Sequence, residues 1–173
     1  MKEREWYDYI KYVGTIVMCI PILFLFSYPI TFILYVAGMF VNVLVNYIVK
    51  RHEKQLSPLH KKREFVKKIK EKYRFYEYDL YAFPSEKIQN IGYSIGFIGA
   101  YLSQNRKTMK NRDIYILSLM IFLFYIAFVV AVFILYSSKR NSTTQMLTGK
   151  GIGLLIGIIF FKLSEPMVTI KTI

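Results

Sequence analysis

The sequence predicts an all-α integral membrane protein of about five transmembrane helices, with one amphipathic helix at the membrane surface. Three observations predict it. The 173 residues are 54% apolar and 17% aromatic with a mean hydropathy of +0.32, richer in apolar side chains than soluble domains run. The apolar residues come in long runs rather than in strand-like alternation: Tyr12 to Val49 carries no charge over 38 residues, and Ile114 to Tyr136 none over 23. The charges, +13 net, gather between the runs, and Lys50 to Lys87 alone holds twelve Lys/Arg against six Asp/Glu. A single membrane domain over residues 1–173 follows.

In chain order, Met1 to Lys11 is a charged lead whose Trp6, Tyr7 and Tyr9, with Tyr12, form an interfacial anchor. Its acids, and the lack of a small-residue cleavage site, argue against a cleaved signal peptide. The run from Tyr12 to Val49 is too long for one crossing of about 20 residues. Pro21 and Ser27-Tyr28-Pro29 interrupt it, giving spans at 11–27 and 30–49. Asn42 and Asn46 share one face of the second span, a pattern of interhelical hydrogen bonding. The lone Cys19 excludes an intramolecular disulfide.

From His60 to Arg74, Phe65, Ile69 and Tyr73 recur at four-residue spacing, as in a helix lying on a membrane surface. The alternative is a solvated basic loop. His52 and His60 sit in this region with no cysteine or carboxylate pair at ligand spacing, so no metal and no other cofactor is expected. A third span at 88–104 carries Gly92, Gly96 and Gly99, and a short polar loop, Asn105 to Arg112, leads to a fourth at 114–136. After a polar loop from Ser137 to Thr148, the last span covers 149–163, with Gly149, Gly153 and Gly157 forming a close-packing stripe.

Five spans put the amino terminus, the 50–87 loop and the 137–149 loop on one side. With Lys150 just past that last loop, this side holds 18 Lys/Arg against 6 on the other, so the positive-inside rule places the basic loops in the cytoplasm. Asn141-Ser142-Thr143 is a glycosylation sequon whose use would report the opposite orientation.

The stretch Lys67 to Lys87, KKIKEKYRFYEYDLYAFPSEK, combines cations with aromatic residues and ends where the third span begins. Lys67-x6-Arg74, then Phe83-Pro84-Ser85, then Ser138-Lys139-x5-Gln145-x3-Gly149 with Gly153 and Gly157 resembles, in order and spacing, the three motifs of the type 2 phosphatidic acid phosphatase/haloperoxidase superfamily over the last two thirds of the chain. The family pattern is Lys-x6-Arg-Pro, Pro-Ser-Gly-His and Ser-Arg-x5-His-x3-Asp on a bundle that usually has six spans, so one amino-terminal helix is missing or merged.

The resemblance implies a phosphate cradle of Lys67, Arg74, Ser85 and Lys139. It also implies lost chemistry. The family's third-motif histidine attacks phosphorus, its aspartate orients that ring, and the second-motif histidine protonates the leaving group. Gln145, Gly149 and Lys87 stand at those places, and an amide, a hydrogen atom and an ammonium do none of these tasks, so no catalytic residue is expected. The implied protein is an inactive lipid-phosphatase-like membrane protein that binds anionic lipid headgroups. Glu86 is the candidate internal counter-ion, to Lys87 or Arg74. Two alternatives stay open: a structural membrane scaffold in a membrane-associated assembly, viral ones included, and an active phosphatase with an atypical nucleophile. Protein partners or a homo-oligomer through the glycine faces fit the pattern, and no nucleic acid is expected.

Overall fold

The computed structural model describes residues 2–53, 82–138 and 140–169, with side chains described for 12–53, 82–138 and 140–163. Within them the chain forms five helices and no strand: α1 (Lys2–Leu25), α2 (Pro29–Glu53), α3 (Glu86–Asn105), α4 (Asn111–Ser137) and α5 (Thr143–Thr169). The surface helix expected over His60 to Arg74 lies outside the described residues.

The breaks follow local chemistry. α1 and α2 are parted at Ser27-Tyr28, where the Tyr28 N–H returns to the Leu25 carbonyl at 2.7 Å and Pro29, lacking an N–H, opens α2. α3 and α4 are joined by a turn in which the Thr108 N–H and hydroxyl both donate to the Asn105 carbonyl at 3.0 Å. Asp113 lies in the first turn of α4, where the helix dipole favours a negative charge. At the other end of α4, the Ser138 hydroxyl donates to the Ile134 carbonyl at 2.7 Å.

α3 is the axis of the bundle, with twelve of its 20 residues buried, and each of the other helices packs on it. α1, α3 and α5 run one way and α2 and α4 the other, so the end of α2 at Glu53, the start of α3 at Glu86 and the start of α5 at Thr143 share one end of the bundle. Tightest is the parallel pair α3 and α5. A Cβ on Gly149 would lie 2.6 Å from the Ser85 carbonyl oxygen, and one on Gly92 2.7 Å from that of Lys150. Cβ atoms on Gly153 and Gly157 would collide with the backbones of Gln89 and Tyr93. With Gly96, whose Cβ would meet the Leu154 backbone, these are the glycines that permit the approach; Gly99 has nothing near it and takes no part. Above this contact stands an aromatic column in which the rings of Tyr35 and Phe97 meet edge-on at 4.9 Å, and Phe97 and Phe161 at 5.9 Å.

The outer surface is apolar, with Leu23, Phe26, Phe122 and Phe133 among its exposed side chains, which suits lipid and not water. Among the described residues, three helical segments are long and apolar enough to cross a membrane: Pro29–Glu53, Asn111–Ser137 and Thr143–Leu163. The protein is thus a helical, membrane-embedded bundle with fewer such segments than the five spans expected. The apolar stretch of α1 within the searched residues, Tyr12–Leu25, is short. α3, expected as a span at 88–104, is diluted by Gln89, Asn90 and Ser94, all of which face inward.

Candidate anion site at one end of the bundle

α3 begins at Ser85, whose extended backbone precedes the first helical turn and whose hydroxyl makes no capping bond. Its main chain is held instead. The Ser85 N–H donates to the Gln145 carbonyl at 3.0 Å, the Ser85 carbonyl accepts from Gln89 N–H at 2.8 Å, and Gly149 lies flat against both groups. α2 holds the same point from the other side, since the Asn46 amide reaches the Pro84 carbonyl at 3.4 Å and the Lys50 ammonium pairs with the Glu86 carboxylate at 3.0 Å. The loop before α5 adds Asn141, whose amide donates to the Ala82 carbonyl at 3.0 Å.

Gln145 has its own task. The Ser142 N–H donates to the Gln145 side-chain oxygen at 2.8 Å and the Gln145 N–H donates to the Ser142 hydroxyl at 3.3 Å, a reciprocal capping box. This starts α5 at Thr143, six residues before the span start expected at Gly149. Ser142→Ala is expected to lower stability by about 1 kcal/mol. A thermal melt in detergent that leaves the midpoint unmoved would show that the box does not hold this turn.

The sequence-predicted residues divide into three groups. Ser85, Gln145 and Gly149 are brought into contact. Lys87 is half-buried within the first turn of α3 on the α1 side, its backbone against Gly14. Lys67, Arg74 and Lys139 lie outside the described residues. Glu86 takes Lys50 as an ion-pair partner, one that the sequence reading did not name.

Behind the site, a layer of amides joins α2 to α3. Asn42 donates to the Asn90 side-chain oxygen at 2.9 Å, Asn46 to the Gln89 oxygen at 2.7 Å, and Gln89 back to the Asn42 carbonyl and side-chain oxygens at 2.9 and 3.0 Å. Deeper in, the Tyr35 hydroxyl donates to the Met18 carbonyl at 2.7 Å and shares a 3.1 Å bond with Ser94. Among the described residues every fully enclosed side-chain nitrogen and oxygen has a partner, and no cluster suited to a metal ion is present. Lys50 was missed, although it continues the Asn42, Asn46 stripe at the same four-residue interval.

Compared with known proteins, the chain matches no family model, no curated protein and no solved structure.

Proposed function

We propose that this protein is a catalytically inactive relative of the type 2 phosphatidic acid phosphatases: a five-span bundle with its basic loops in the cytoplasm, which holds an anionic lipid headgroup without hydrolysing it. The observation that carries this reading is the contact of Ser85 with Gln145 and Gly149. Two segments 60 residues apart, proposed as matching the family's second and third motifs, meet through main-chain groups at one end of the bundle. The amino termini of α3 and α5 lie side by side there, and parallel helix dipoles favour an anion. Lys87 adds positive charge, while that of Lys50 is matched by Glu86. For five spans, the support is the burial of α3: a helix sheltered by its neighbours need not be lipophilic itself.

The absent chemistry is explained in the same place. The Gln145 amide oxygen is spent on its helix cap, and an aspartate at Gly149 would drive its Cβ into the Ser85 backbone. Restoring the family's catalytic residues therefore opposes the packing that forms the site.

Liposomes or nanodiscs containing phosphatidic acid test the proposal. Lys67→Ala and Arg74→Ala are expected to weaken binding well beyond Lys61→Ala, and the difference should survive moderate salt, because a desolvated pair is screened less than a surface loop. Phosphate release should stay at background. Equal losses for all three variants that vanish together as salt rises would reduce the site to diffuse attraction and leave the structural scaffold as the better reading. Turnover abolished by Gln145→Ala or Lys87→Ala would reject inactivity.

A further inference from the structure

α4 and α5 follow each other in sequence, yet each packs on α3 and they make little contact with one another. One side chain bridges the gap between them. The Lys150 ammonium lies over the Phe128 ring at 4.4 Å from its centroid and 5.7 Å from that of Tyr125. Lys150 is half-buried, Tyr125 is open to the outside, and the floor is the Gly92 region of α3. Among the described residues no carboxylate comes within ion-pair distance of this ammonium.

A cation among apolar groups in a membrane costs several kcal/mol in central positions, and a ring face offsets only part of this. The cost falls further if an anion reaches it. We infer that Lys150 is a second lipid-phosphate subsite, separate from the cradle: a glycerophospholipid phosphate pairs with its ammonium, and an acyl chain fills the crevice between α4 and α5.

The setting favours a lipid: Lys150 joins two helices whose outward side chains, Phe122, Tyr125 and Leu155 among them, are exposed and apolar, so phospholipid is the anion-bearing molecule that lies against this part of the bundle. Lys150 begins only about two turns into α5, close enough to the polar end for a headgroup to reach, and the loop closing that end carries Arg140.

The test places a fluorophore in the crevice. Trp6→Phe combined with Phe128→Trp leaves one tryptophan beside Lys150 and keeps a ring beneath the ammonium. The protein is put in nanodiscs containing a fixed fraction of brominated-chain phosphatidic acid, phosphatidylglycerol or phosphatidylcholine. The expected result is preferential quenching by both anionic lipids, corresponding to about fivefold tighter association, the order that one lysine contributes near an anionic surface. Lys150→Met and Lys150→Gln should abolish the preference, Lys150→Arg should keep it, and Arg74→Ala should leave it unchanged, which separates this subsite from the cradle. Inorganic phosphate should not relieve the quenching; relief would show that the site takes free phosphate and not a lipid. Equal quenching by all three lipids, or a preference that survives both neutral variants or disappears with Arg74→Ala, would overturn the inference.

Discussion

Gly153→Val is expected to break the association of α3 with α5 and to cost about 3 kcal/mol or more, at the upper end of what overpacking does in a well-filled interior. The side chain has nowhere to go, because its first carbon collides with the Gln89 carbonyl oxygen and lies 2.8 Å from the Tyr93 nitrogen. These are backbone atoms of a helix and do not rotate aside. Gly151→Val is the matched control: the same change, two residues earlier on the same helix, meets nothing within 4 Å and should shift stability only by the modest helix-propensity difference. Unfolding of the purified protein in mixed detergent micelles separates the two. If both variants unfold together near the parent, close approach of the backbones is not what joins these helices.

Gln89→Leu should have the next largest effect, a loss of roughly 2 kcal/mol. Its amide makes three of the bonds in the α2–α3 layer, two to Asn42 and one from Asn46, and bonds of this kind contribute on average about 0.6 and at most about 1.7 kcal/mol each inside membrane bundles. Leucine also strands the Asn46 amide without its 2.7 Å partner. The penalty for stranding should be partly relieved when Asn46 is made leucine as well, since removing both partners costs less than removing one. The same micelle titration checks it. A double variant that loses the simple sum of the two single effects would mean that Asn46 and Gln89 are not energetically coupled.

Much of this architecture was legible in the chain. The charge-free runs and the prolines marked the helices, and Asn42 with Asn46 announced a polar seam, which the structure pairs with Gln89 and Asn90. The glycine stripe on α5 was readable as a packing face because small residues at four-residue intervals leave a flat helix surface. What was not legible depended on neighbours. The start of α5 was placed too late, since Thr143 to Thr148 reads as a polar loop until the Ser142–Gln145 reciprocity is noticed. α3 was counted among the apolar spans, although its polar residues are tolerable only because other helices cover them. Lys50 was not named as a partner of Glu86, because it reaches the carboxylate from 36 residues upstream. Of the residues that the sequence singled out for the candidate site, the structure shows that the Ser85, Gln145 and Gly149 segments touch.

The unequal fastening of the helices sets how the bundle can deform. α2, α3 and α5 are tied by backbone contact, amide bonds and an ion pair, and so behave as one stiff body. α4 is different: among the described residues, none of its side-chain hydrogen bonds crosses to another helix, and apolar faces alone seat it against α3 and α1. In lipid, where hydrocarbon competes on equal terms for those faces, such a seat is shallow. α4 is therefore the least fastened helix of the bundle, the one whose displacement would break the fewest directional bonds. If a lipid chain pairs with Lys150 as proposed, α4 is the side of that site with the fewest fixed contacts, and the backbone contacts of α3 with α5 stay intact when the chain enters or leaves.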